Sequence, residues 1–378
     1  MSQRYLGGWI QAGLFNPLAA PTPSGYTYEL WSWGLNNYGQ LGLGNITNYS
    51  SPKQVGALTN WSLLSAGQQH TLAIKTDGTL WGWGLNNNGQ LGLDNTTSYS
   101  SPKQIGSLAT WSSISAGSLQ SFAIKTDGTL WSWGYNLYGQ LGLGNTTNYS
   151  SPKQVGALTT WSKTTAGVYH TLAIKTDGTL WSWGYNNRGQ LGLNNITSYS
   201  SPKQVGALAT WSSITAGGYF TLAIKTDGTL WSWGRNNFGQ LGLTNTTDYS
   251  SPKQVGALTT WLNITAGYLY TLAIKTNGTL WSWGRNNLGQ LGLGNRTNYS
   301  SPKQVGALTT WLNITAGYAH TLAIKTDGTL WSWGLNNDYG ELGLTNTTDY
   351  SSPKQVGTLT TWYAAAKSLG YSSIALKY

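Results

Sequence analysis

One unit of 50 residues repeats along this chain, and that period constrains the fold more than any single residue does. Its marker is the tryptophan pair Trp31/Trp33. The pair returns as Trp81/Trp83, Trp131/Trp133, Trp181/Trp183, Trp231/Trp233, Trp281/Trp283 and Trp331/Trp333. Periods of this size belong to solenoids, propellers or arrays, in which each unit buries its apolar face against the next. Repetition also weighs against catalysis, because chemistry uses one asymmetric constellation of groups.

Within a unit, four segments read as short strands: Trp61 to Ala66, His70 to Thr76, Thr79 to Trp83, and Pro52 to Val55 with its copies. Asp77-Gly78 between the second and third is a hairpin signal, since both residues tolerate positive φ. A two-residue loop there puts Leu72, Ile74, Trp81 and Trp83 on one sheet face. A three-residue loop with a bulge shifts the register by one, and both registers fit the sequence. Four strands per unit and seven units describe an all-β, seven-bladed β-propeller. Its closure is also legible. The last copy ends at YSSIALKY (Tyr371 to Tyr378), which matches only the first strand of the hairpin. The first copy begins at YELWSWG (Tyr28 to Gly34), which matches only the second. Pairing of the N- and C-terminal strands completes the seventh hairpin and hides both sheet edges. The domain organisation expected is an N-terminal extension, 1–26, read as a docking arm through Tyr5, Trp9, Ile10 and Phe15, followed by a propeller over 27–378.

Composition narrows the class. There is no cysteine, hence no disulfide frame and no thiolate metal site. Only 8% of residues are charged, while 22 tryptophans supply ample apolar surface for a core. No apolar run reaches the length of a membrane span. The net charge of +10 raises the question of nucleic acid. Most of it sits in two seven-fold lysine series that start at Lys53 and Lys75. Rings spread charge instead of concentrating it along a groove, which argues for solvated lysines and against a nucleic-acid partner. No GxSxG, HExxH or P-loop signature is present. The GQLG tetrads, such as Gly39 to Gly42, precede no helix and are read as backbone turns. No cofactor and no metal are expected. His70, His170 and His320 share one repeat position and would lie apart in a ring.

The run TLWSWG-x-N-x-x-GQLGLGN…PKQVGAL…W…AG…HTLAIKTDG resembles the repeat of the regulator-of-chromosome-condensation family. The resemblance covers Tyr28 to Tyr378 and implies a seven-bladed propeller closed by its termini. Roles in that family include guanine-nucleotide exchange, chromatin binding and inhibition of a β-lactamase, all of them protein-binding roles. Copies this nearly identical, with neutral Asn/Thr/Ser loops, are similar to bacteriophage repeat proteins thought to be virion components.

Two patches differ among the copies far more than the scaffold does. One precedes the hairpin and holds His70, Tyr169, His170, Tyr219, Phe220, Tyr268, Tyr270, Tyr318 and His320. The other follows the tryptophan pair and holds Tyr38, Tyr135, Tyr138, Arg188, Arg235, Phe238 and Arg285. Because hairpin strands are antiparallel, both patches belong at one end of the blade, opposite the Asp-Gly turns. A face rich in Tyr, Phe, His and Arg suits recognition of a protein or glycan, although exposed loops vary for other reasons too. All of these residues are therefore expected as ligand-binding. The expected function is a non-enzymatic bacteriophage virion protein of tail or capsid. Its arm would contact other virion proteins, and its variable face a host surface glycan or protein. The alternative is a soluble bacterial interaction propeller acting as inhibitor or scaffold.

Overall fold

The computed structural model describes residues 27–378. Its strands form seven four-stranded antiparallel sheets. In the first blade Trp61–Ala66, His70–Lys75, Leu80–Gly84 and Tyr99–Gln104 lie side by side in that order. Blades 2 to 6 repeat this arrangement from Trp111, Trp161, Trp211, Trp261 and Trp311. First strands of successive blades touch one another and so surround an axis. Blade 7 is composite. Its inner strands, Trp362–Ala365 and Ser372–Lys377, come from one end of the chain, and its outer strands, Glu29–Gly34 and Tyr49–Gln54, from the other. The seam pairs every residue from Glu29↔Lys377 to Gly34↔Ser372, and Lys377 Nζ lies 3.1 Å from Glu29 Oε2. The chain is thus a seven-bladed β-propeller closed by its own terminal strands, as the repeat pattern predicts. The arm residues Tyr5, Trp9, Ile10 and Phe15 lie outside the described residues.

The hairpin adopts the shifted register. Thr71 pairs with Trp83, Leu72 with Gly82, Ala73 with Trp81 and Ile74 with Leu80. The cause is local: Asp77 Oδ1 accepts both the Thr79 N–H at 2.9 Å and the Thr79 hydroxyl at 2.6 Å. This side-chain turn braces a three-residue loop, Thr76-Asp77-Gly78, in which the Gly78 N–H bonds the Lys75 carbonyl at 2.9 Å, Gly78 takes φ +80°, and the Thr79 carbonyl accepts the Lys75 N–H at 3.1 Å. Each blade consequently shows an aliphatic face (Leu72, Ile74, Leu80) to a tryptophan–alanine face (Trp111, Ala123, Trp133) of the next. Trp133 is fully buried there, a gross gain of about 5 kcal/mol at roughly 200 Å² and 25 cal/mol/Å².

The GQLG tetrad clasps blade to blade. The Gln90 carbonyl accepts the Trp133 indole N–H at 2.9 Å and the Ser121 hydroxyl at 2.7 Å. Gly89 has φ +79°, and a Cβ there would fall 2.4 Å from Ser150 Cα of the next blade. Glycine is required on both counts. The Lys75 series is not a solvated ring as expected: Lys75 Nζ lies 3.8 Å from the Trp81 ring centre, and the residue is mostly covered. Burial lowers its amine below the usual lysine range.

Candidate functional site

The two variable patches do converge, and backbone hydrogen bonds bring them together. The residue after each tryptophan strand donates its N–H to the residue before the hairpin. Tyr135 bonds Leu119 at 3.0 Å, Tyr185 bonds Tyr169 at 2.9 Å, Arg235 bonds Tyr219 at 2.9 Å, and Leu35 bonds Tyr371 at 3.0 Å. The turns that follow the inner strands are also joined around the axis. Gln68 N–H bonds the Ser118 carbonyl, Ser118 N–H that of Gly167, Val168 N–H that of Gly218, and Gly218 N–H that of Tyr268. A sevenfold mouth therefore opens on this face.

Tyrosines line most of it. Ring centroids run from Tyr138 to Tyr169 (5.0 Å), Tyr169 to Tyr219 (6.2 Å), Tyr219 to Tyr268 (6.2 Å), Tyr268 to Tyr318 (4.8 Å) and Tyr318 to Tyr371 (4.8 Å). Tyr135 and Tyr185 join one end and Tyr339 the other. The arc spans blades 2 to 7 and breaks at blade 1, where the same positions hold Gln68, Gln69, Leu85 and Asn88. Its rings are half-buried against one another, leaving the remaining ring surface open with little rotamer freedom left to lose on binding. Burial raises the phenols of Tyr169, Tyr219 and Tyr371 above their ordinary range, so they act as neutral hydroxyls.

Cations border the arc. The Arg235 guanidinium lies 5.9 Å from the Tyr219 ring centre, and that of Arg285 lies 5.4 Å from Phe238. Arg188 faces solvent 3.6 Å from Asp248, and Arg296 stands 3.5 Å from Asp349. Tyr38 is exposed on the same face.

Five of the expected contact residues are not on the surface. His70, His170, Phe220, Tyr270 and His320 are at most 2% exposed. Each begins the second strand of its blade, one or two residues after the turn that faces the mouth, and its side chain is turned inward against the next blade. His70 Nε2 meets the Ser121 hydroxyl at 2.9 Å, His170 the Thr221 hydroxyl at 3.2 Å and His320 the Ser373 hydroxyl at 3.0 Å, each on the next blade. Tyr270 donates its hydroxyl to the His320 carbonyl at 2.5 Å. Burial lowers the three imidazoles to about 3, 3 and 4, which keeps them neutral.

The expected contact residues left out Tyr185, Tyr339, Tyr371 and Lys367; the first two stand in the variable patch that follows the tryptophan pair. Tyr371 had a signal, because YSSIALK aligns with the strand that follows every arc position. Lys367 had a fainter one. The last inner strand runs into Ala366-Lys367 where the other six run into Ala-Gly. Its ammonium crosses the axis and donates to the Ala216 carbonyl of blade 4, and burial pulls its pKa down to about 7.

Among the described residues no cluster of histidine and acid side chains is placed to hold a metal ion, and no helix is long and apolar enough to cross a membrane.

Comparison with known proteins gives a consistent picture. The signature of the RCC1-like domain matches residues 165–376, and that of the regulator of chromosome condensation (RCC1) repeat matches 29–74, 77–124 and 127–174. A protein RCC2 homolog of Danio rerio is 41% identical over 54 residues, 14% of this chain and 11% of that protein. The ultraviolet-B receptor UVR8 of Arabidopsis thaliana is 39% identical over 57 residues, 15% and 13% of the two. These alignments cover only a small fraction of either curated relative. Human WBSCR16 superposes with a TM-score of 0.83 at 22% identity, covering 93% of this chain and 98% of its own. Prp20p of Saccharomyces cerevisiae, characterised for binding to Gsp1p and histones, gives 0.83 at 22%, covering 94% and 92%. Likeness at that identity establishes the fold.

Proposed function

Since this chain belongs to the RCC1-like propeller family, we propose that it is a non-enzymatic recognition module that docks a protein against the tyrosine-lined mouth of one face. One observation carries the reading. The scaffold is copied almost without change, whereas the residues that differ assemble nine tyrosines into a connected arc across six blades. Tyrosine and arginine are the residues on which protein interfaces concentrate binding energy. Prp20p, of the same fold, is described as binding Gsp1p and histones, which supports protein partners without naming this one.

The setting we propose is a bacteriophage particle, in tail or capsid, with 1–26 holding the propeller to other virion proteins and the mouth turned toward a host surface or a neighbouring subunit. Near-identity of the copies and the neutral loops support this setting. The alternative is a soluble bacterial propeller that inhibits or scaffolds one partner.

Cross-linking mass spectrometry on purified particles tests both. Virion membership predicts the chain among particle proteins, and the docking reading predicts cross-links from the mouth to one partner. Alanine at Tyr169, Tyr219 and Tyr268 together should abolish those cross-links while the protein stays folded. Unchanged cross-links would refute the docking face, and absence of the chain from particles would refute the virion setting alone.

A further inference from the structure

Charge on the mouth is uneven, and the unevenness has a direction. The seven inner strands and the turns after them contain two charged residues, Lys163 and Lys367, and no carboxylate. Both ammonium groups end on the same strand, Trp211–Ala216 of blade 4: Lys163 donates to the Ser212 carbonyl and Lys367 to that of Ala216. The turn that follows is Gly217-Gly218-Tyr219. Gly218 has no side chain to fill the space, and the Tyr268 ring packs over it; a Cβ at Gly218 would meet Tyr268 Cδ2 at 3.1 Å. Arg235 then stacks near Tyr219, and Arg285 of blade 5 near Phe238 of blade 4.

Lys163 reaches the start of that strand, beside the Asp177-Gly178 turn, whereas Lys367, Arg235 and Arg285 stand at its mouth end. Three cations therefore serve one sector of the mouth, and none has an acid partner. The ion pairs among the described residues are Arg188–Asp248, Arg296–Asp349 and Lys377–Glu29. Of the two acids of blade 4, Asp227 lies in the turn at the opposite end and Asp248 is already held by Arg188, while Asp338, Glu341 and Asp349 belong to blade 6. Positive charge drawn toward an aromatic mouth and left uncompensated is complementary to an anion.

We infer that the sector formed by Lys367, Tyr219, Arg235, Phe238, Tyr268 and Arg285 receives an acidic segment of a protein partner, with Asp or Glu carboxylates on the two guanidinium groups and one at the axial ammonium. The inference rests on the docking reading above and adds the chemistry of the partner. A guanidinium lying against a ring keeps its N–H edge free, and that edge matches a carboxylate with two parallel hydrogen bonds. Nucleic acid would need phosphate contacts strung along a path, whereas these cations occupy one sector and the axis.

Fluorescence anisotropy on the full chain tests this with a labelled peptide of about a dozen residues rich in Asp, Glu and Tyr. Its Asn/Gln counterpart, a single-stranded oligothymidylate and trigalacturonate serve as competitors. The acidic peptide should bind at least about tenfold more tightly than its neutral counterpart, the discrimination expected of charge-assisted hydrogen bonds. Arg235→Ala with Arg285→Ala should remove most of that difference. Lys367→Met should weaken binding several-fold, Lys367→Arg should restore it, and Lys103→Ala, outside the sector, should change nothing. Circular dichroism and thermal melts confirm that each variant is folded.

Equal binding of the two peptides, or sector variants without effect, would overturn the inference. So would tighter competition by the oligothymidylate or trigalacturonate with the same variant dependence, which would assign the sector to those ligands. Loss of the native cross-links in the tyrosine variant but not in the arginine variant would leave the docking face standing and remove the acidic partner. Loss in neither would remove both.

Discussion

Tyr219 and Phe220 are neighbours in one turn, vary equally among the copies, and do opposite things. Tyr219 lies half-open in the arc and touches Tyr169 and Tyr268. Phe220 is fully buried and packs with Trp261 and Trp283 of the next blade. Tyr169 and His170 divide the same way, one half-open and one inside; in blades 5 and 6 the open residue is one place earlier, at Tyr268 and Tyr318, and both Leu269 and Ala319 are buried. Variation among repeats therefore does not mark exposure. Buried positions vary here because each blade contact is settled privately between two neighbours. An imidazole meets a hydroxyl at one junction, and the Gln120 amide reaches the Gly167 carbonyl at another.

Substitutions can break or sharpen that contrast. The largest effect expected is from Phe220→Ala, about 3–5 kcal/mol of stability lost through a cavity at the blade 4–5 junction. Denaturant titration measures it, and a loss below about 1 kcal/mol would contradict the inner assignment.

Glu341→Gln comes next. Six copies have glutamine in this tetrad, whereas blade 6 buries Glu341, with Oε1 unpartnered and burial pushing its pKa up to about 7. A folded pKa above the unfolded value means that stability is full below about pH 4.5 and falls as pH rises to about 7. Glutamine should therefore add up to about 3 kcal/mol at pH 8 and little at pH 4.5. An equal gain at both would show that the carboxylate is solvated.

His170→Gln should act in the opposite pH direction. The buried imidazole has a pKa of about 3, lowered from 6.5, so the unfolded chain takes up protons first and stability falls as pH drops below about 6.5. Glutamine, which occupies this position in blade 2, should reduce the loss between pH 8 and 5 by about 2 kcal/mol. Parallel acid limbs for the two proteins would refute it.

The smallest stability effect belongs to Tyr219→Ala, expected below about 1 kcal/mol, since its ring is only half-buried. Its loss of partner contact should exceed that of any buried variant compared at equal folded fraction.

Much of this was written in the chain. The strands, the blade number, the seam and the meeting of both variable patches all follow from a period and from antiparallel pairing. The hairpin register did not, because a side-chain turn from Asp77 to Thr79 selected between two spacings that the sequence permits equally. The Lys75 series was legible as a ring but not as one laid over tryptophan, since Trp81 meets Lys75 only in the folded blade.

What the sequence determined alone was local and periodic: seven units, four strands each, and two ends that complete one another. Those properties depend on residues near in sequence or repeated at fixed intervals. Tertiary structure decided which variable residue of each turn faces the mouth, which rings touch across blades, and that Lys367 reaches Ala216 on the far side of the axis. These contacts join residues far apart along the chain, some one repeat apart, as Tyr169 and Tyr219, and others on opposite blades, as Lys367 and Ala216. They exist only once the closed ring sets the distance between blades.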